Sequence, residues 1–186
     1  MKYLAIDFET TGLDPKVNQP LSFCGILDFI GNKTPIEELP RFHCYFVWDT
    51  ITVHQFAGKM NHTLIEKLFN QDFGPKHIEP REFSNKLRVF LNTNGINGKV
   101  TIAGKNPVFD AGFATALGFT SIEFRMIDPA ILYLRSEDEK VPGLATCLKR
   151  AGLDVDINAD HSKGGIHNEA YDAESIIRLM RKYNHA

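Results

Sequence analysis

With 186 residues, 43% of them hydrophobic and 24% charged, the chain has the size and composition of one ordinary globular domain. These values exclude a disordered, collagen-like or coiled-coil protein and predict a single domain over residues 1–186. Lys plus Arg 21 against Asp plus Glu 23 leaves a formal charge of −2, without the basic surplus of proteins that grip long duplexes by charge alone.

No run reaches the roughly 18–20 apolar residues of a membrane span, and no basic start followed by an apolar stretch opens the chain, so a soluble, cytoplasmic protein with no membrane partner is expected. Cys24, Cys44 and Cys147 lack the close spacing of zinc or redox sites and read as buried thiols.

Residues 2–8 (KYLAIDF) read as a strand, followed by a turn carrying Gly12, Asp14 and Pro15. A second strand over residues 21–30 (LSFCGILDFI) ends at Gly31-Asn32, and residues 41–48 (RFHCYFVW) form a third; short connections between the three predict an antiparallel meander. Leu64, Ile65 and Leu68 are spaced for one helix face, and Phe83, Leu87, Phe90 and Leu91 for another. Alternation follows: a short buried strand at 100–103, a helix at 108–117, a strand at 122–127 and a short helix at 129–134 opened by Asp128. Helices at 144–151 and 169–183 complete the set. The polar, glycine-containing stretch 154–166 (DVDINADHSKGGI) reads as a mobile loop. A meander followed by β-α-β units predicts an α/β fold, with a mixed sheet of about five strands flanked by helices.

Asp7, Phe8 and Glu9 stand at the end of the first strand, where alternate side chains share a face, so the two carboxylates project together while Phe8 turns away. Two acids in one small volume repel unless a cation lies between them, which makes a divalent-metal site the natural use of the pair. A second D-x-E, Asp172 and Glu174, falls on a helix, where residues two apart diverge by about 200° and cannot serve one ion together. Thr10-Thr11-Gly12-Leu13 beside the acids is either a substrate cradle or an ordinary strand-ending turn.

The segment DFETTGL, residues 7–13, resembles the first motif of the DEDD exonucleases. Residues 104–110, GKNPVFD, are similar to the second motif, in which a short strand leads to an Asn and then to an Asp near a helix start. Residues 167–173, HNEAYDA, resemble the third, spaced H-x4-D. Met126-Ile127-Asp128 with its short helix, and residues 144–153 (LATCLKRAGL), resemble the connection between the second and third motifs. The likeness is clearest at 3–13 and from 101 onward; between 31 and 97 only the general layout matches.

This resemblance implies the ribonuclease H-like fold and two divalent cations, Mg²⁺ or Mn²⁺, held by Asp7, Glu9, Asp110 and Asp172 around the scissile phosphate. Hard carboxylate oxygens suit those metals. It also implies His167 as general base, the mark of the DEDDh branch; Tyr171 lies too close to Asp172 for the tyrosine branch, and His161 is followed at +5 by Ile166 rather than an acid. Thr10, Thr11, Leu13, Asn106 and Phe109 would hold the terminal nucleotide, although Phe109 reads equally well as core. Lys105, Lys163 and Arg125 are candidate phosphate contacts.

The activity implied is 3′→5′ exonucleolytic release of nucleoside 5′-monophosphates from single-stranded DNA or RNA ends. A polymerase or other partner chain is expected if the task is proofreading. The alternatives are a catalytically idle nucleic-acid-binding module and a structure-selective endonuclease. Glu169 departs from the family, which commonly has a small residue there; at a helix N-terminus capped by Asn168 it reads as structural before it reads as a fifth ligand.

Overall fold

The structure, a computed structural model, describes residues 1–70, 72–155 and 168–184. Its centre is β1 (Lys2–Thr10), nine residues whose two faces are both covered. The strand continues two residues beyond the expected end because Glu9 and Thr10 still pair with β2 (Pro20–Phe29), across a register shift. β2 runs antiparallel to β1 and to β3 (Arg41–Phe46), giving the expected meander.

β4 (His77–Ile78) joins β3 in parallel, and β5 (Ile102–Ala103) joins β1 in parallel at the opposite side. The order is β4-β3-β2-β1-β5, a mixed five-stranded sheet as expected. Among the described residues six helices flank it: α1 (Gln55–Met60), α2 (His62–Phe69), α3 (Phe83–Thr93), α4 (Pro107–Ala116), α5 (Leu144–Arg150) and α6 (Glu169–Asn184).

The fifth strand is not the expected one. Residues 122–127 touch the sheet only at the bridges Val100↔Ile122 and Ala103↔Ile127, and between them Phe124 is 92% exposed. Ile122 and Ile127 pack inward while the intervening segment leaves the ladder, so no continuous pairing forms. β4 takes the fifth place with two residues, too short to carry a periodic signal.

Alternation along β1 splits the core in two. Leu4, Ile6 and Phe8 point to one face, where Phe23, Phe46 and Phe83 surround Phe8 and Phe113 of α4 joins them. Tyr3 and Ala5 point to the other, against Ala173, Ile176, Ile177 and Met180 of α6. Burying a Phe or Leu side chain contributes about 1.5–3 kcal/mol, so the two layers clamp β1 from both sides and fix which side chains α6 and α4 present to its end.

Two caps set those helices. Asn168 Oδ1 accepts from the backbone N–H groups of Ala170 and Tyr171, making it the N-cap of α6 as expected. The short helix at 129–134 forms as a 3₁₀ turn, Pro129–Tyr133, with Asp128 Oδ1 accepting from Ala130 N. All three cysteines are free and buried. Among the described residues no helix is long and apolar enough to cross a membrane. Most of the loop expected at 154–166 lies outside the described residues.

Candidate active site

On β1 the face opposite Phe8 carries Tyr3 and Ala5 under α6 and, at its end, Asp7 and Glu9. α6 brings Asp172 down onto them from its first turn, while Ala173 and Ile176 anchor the helix on the sheet. Carboxylate oxygens of Asp7, Glu9 and Asp172 lie within 4.8 Å of one another. Glu9 and Asp172 are buried, whereas Asp7 keeps an opening to solvent.

Asp110 enters from the first turn of α4 on the other side of β1. It is 2% exposed, and its Oδ1 accepts from Phe8 N at 3.0 Å, so the strand that carries the acidic pair also orients this carboxylate. Gly104 eases the approach: a Cβ there would stand 3.3 Å from the Ile6 carbonyl oxygen, close enough that β1 or the start of α4 would have to shift by a few tenths of an ångström. All four acids line one cleft of about 310 Å³, although Asp110 stands outside the tight cluster of three.

Crowding has an electrostatic consequence. Burial first, and then the charges of Asp172, Asp110, Glu9 and Glu169, hold the Asp7 carboxyl well above the usual carboxylate range. Burial also pushes Asp110 up, opposed by the backbone N–H of Phe8 and reinforced by Glu9 and Asp172. Such a site resists full ionisation by itself and welcomes a cation.

Thr10, Leu13 and Phe109 line the same cleft. Leu13 is 83% exposed, a free apolar side chain at the mouth. Phe109 lines the cleft while its ring packs 5.1 Å from that of Phe113. Thr10 is nearly buried, and its hydroxyl donates to the Gly12 carbonyl.

Two expected substrate residues are placed differently. Thr11 is fully buried; its N–H donates to the Gln19 carbonyl and its hydroxyl accepts from Gln19 N, so its side chain closes the turn rather than facing the cleft. Asn106 is exposed outside the cleft in the left-handed region (φ 58), with its N–H donating to Asp128 Oδ2. It shapes the bend into α4. Of the phosphate candidates, Lys105 lines the cleft, Arg125 is exposed away from it, and Lys163 lies outside the described residues, as does His167, the expected general base.

The opposite wall was not legible in the sequence. Ala57, Met60 and Asn61, from α1 and the link into α2, complete the cleft, and Asn61 Nδ2 donates to the Thr10 carbonyl at 3.1 Å. Glu169, left open between two readings, is buried, and its Oε1 lies 2.6 Å from His43 Nε2 on β3.

No family model matches the sequence, and no curated protein matches it as a relative. Solved structures do: 99% of the chain superposes on exonuclease I with a TM-score of 0.65 at 17% identity, covering 41% of that chain. The fold is ribonuclease H-like. The zinc-bound form of the Escherichia coli exonuclease I complex with single-stranded DNA gives a TM-score of 0.65 at 19% identity, over 99% of this chain and 40% of that one. The Pan2 catalytic unit of Neurospora crassa, a protease and nuclease domain, gives 0.64 at 17% identity, over 99% of this chain and 27% of that one. The chain thus spans about two fifths of the exonuclease I chains and about a quarter of the Pan2 unit. Likeness at this identity speaks for the ribonuclease H-like fold, and the acidic cluster must speak for the chemistry.

Proposed function

We propose that this chain is a metal-dependent 3′→5′ exonuclease of the DEDDh type, hydrolysing single-stranded DNA or RNA from its 3′ end to nucleoside 5′-monophosphates. The observation that carries the reading is the convergence of Asp7, Glu9 and Asp172 within 4.8 Å, with Asp110 on the same cleft. The fold in which they converge is shared with an exonuclease solved with single-stranded DNA.

The residues fit a divalent cation. Their donors are hard carboxylate oxygens, and the mutual repulsion that, after burial, raises the Asp7 carboxyl above its usual range is relieved when a cation shares its charge. Asp7, Glu9 and Asp172 would hold the ions, with Asp110 completing a set for two Mg²⁺ or Mn²⁺. When bound, such ions stabilise negative charge building on the phosphate and acidify water at neutral pH.

The chain's own groups supply the rest. His167, five residues before Asp172, accepts a proton from the attacking water as the oxygen–phosphorus bond forms. Its role rests on the H-x4-D spacing. The bond to the 3′ oxygen breaks, and that oxygen leaves with a proton from solvent. Phe8 N–H fixes the rotamer of Asp110. Leu13 and Phe109 flank the terminal nucleotide with apolar surface, which suits a sequence-tolerant enzyme because every base offers a stacking face. Lys105 supplies positive charge to the phosphate.

The test is a product ladder on 5′-labelled DNA and RNA oligonucleotides with Mg²⁺, Mn²⁺ or chelator. Stepwise shortening from the 3′ end is expected with metal only, abolished in Asp7→Ala and slowed about 10² to 10⁴-fold in His167→Ala. The polymer that shortens faster identifies the substrate. Intact oligonucleotides in every lane, with binding retained, would instead mark a nucleic-acid-binding module.

A further inference from the structure

The register across the sheet aligns Asp7 with Cys24 and Cys24 with His43, so these three stand in one row on the face covered by α6. The next row on that face runs Glu9, Ser22, Tyr45 and His77. With strands about 4.8 Å apart, His43 lies roughly 10 Å across the sheet from Asp7. Between these rows and α6 sits the Glu169 carboxylate, 5% exposed.

Its Oε1 lies 2.6 Å from His43 Nε2, a contact spanning 126 residues of sequence. The Tyr45 ring packs 4.9 Å from the His43 ring, and the Tyr45 hydroxyl lies against the same carboxylate. A second tie, Arg41 Nη1 to Glu174 Oε1 at 2.7 Å, joins β3 to α6 further along the helix. Burying a carboxylate costs several kcal/mol unless it is well partnered, so the contact with His43 favours the placement of α6 that brings Glu169 to β3. Residues three apart on a helix share a face, and Asp172 follows Glu169 by three.

We propose that Glu169, clamped by His43, is a positioning residue that seats the first turn of α6 on β3 so that Asp172 meets Asp7 and Glu9 at metal-binding distance. The inference rests on the reading of these acids as a metal centre. It extends that reading to two residues outside the acidic set, one of them on a strand the motifs do not touch. Groups that orient metal ligands from behind typically change metal affinity about 10- to 100-fold when removed.

Mn²⁺ binding to the full chain without nucleic acid, read from the electron paramagnetic resonance signal of free Mn²⁺, separates the two ideas. All proteins are compared well below their melting temperatures. Wild type is expected to bind and Asp7→Ala to bind far more weakly. Glu169→Ala and His43→Ala should each lose about 10- to 100-fold in affinity. Glu169→Gln keeps an oxygen facing His43 and should stay within about threefold of wild type, a rescue that a general loss of stability would not give. If Glu169→Ala fails to fold, His43→Ala carries the same comparison. Equal affinity in wild type and His43→Ala overturns the proposal, as does Glu169→Gln falling as far as Glu169→Ala, since charge rather than placement would then matter. Wild type that binds no Mn²⁺ overturns the metal centre itself, and this inference with it.

Discussion

Replacing Asp7 by Asn should stabilise the metal-free protein while destroying its use of metal. Carboxylate oxygens of the acidic trio lie within 4.8 Å of one another; at that distance two unit charges at an effective dielectric near 20 repel by about 3.5 kcal/mol, and ionised Asp7 faces two such neighbours. Protonation limits that cost. A carboxyl held well above its ordinary value of 3.8 keeps its proton over a pH range where the unfolded chain has lost it, and that difference costs the folded state stability as pH rises. The Asn amide carries its own burial cost, so a net gain of about 2 kcal/mol is expected, or a rise of roughly 4–8 °C in melting temperature for a chain of this size.

The sign of the pH dependence follows from the direction of the shift. The folded value lies above the unfolded one, so the native state holds a proton that the unfolded chain has lost, and stability falls as pH rises from about 4 through the folded value. The advantage of Asp7→Asn should therefore be nil near pH 4 and grow toward neutrality. Saturating Mg²⁺ should reverse the ranking, because only wild type gains about 2.7 kcal/mol at a hundred times its dissociation constant. Thermal denaturation in chelator and in Mg²⁺, from pH 4 to pH 8, measures all of this. A variant no more stable than wild type in chelator at pH 7.5, or an advantage that does not shrink toward pH 4, would refute the electrostatic account.

Two further outcomes concern the scaffold and the substrate. Arg181 on α6 reaches buried Asp28 through Nε at 3.1 Å and Nη2 at 3.2 Å, so Arg181→Ala should cost about 3 kcal/mol in urea unfolding at pH 7. Burial pushes Asp28 up, but donors from Arg181, Asn32, Phe29 N–H and Tyr3 outweigh it and hold the carboxyl below its usual value. That contribution is present above the unfolded value and disappears as pH falls through the folded one, so the two proteins should converge in acid. Phe109→Ala should raise KM on single-stranded oligonucleotides by about tenfold, since stacking on one base contributes about 1–3 kcal/mol; steady-state kinetics with unchanged KM would count against Phe109 as a nucleotide contact.

The sequence by itself determined the meander, the mixed sheet, the caps at Asp128 and Asn168, and the face shared by Asp7 and Glu9. Each of these depends on periods of two or 3.6 residues, or on a cap within three residues of its helix, so local spacing carries the information. The convergence of Asp172 and Asp110 on that face is decided by how α6 and α4 dock on the two sides of β1, a packing outcome. Thr11 and Asn106 show the limit from the other direction. Their place beside a motif said nothing of the Gln19 and Asp128 contacts that turn them to structural use. The His43–Glu169 pair and the wall of Ala57, Met60 and Asn61 join segments far apart along the chain, and such contacts exist only once the sheet has set its register and the helices have closed over it.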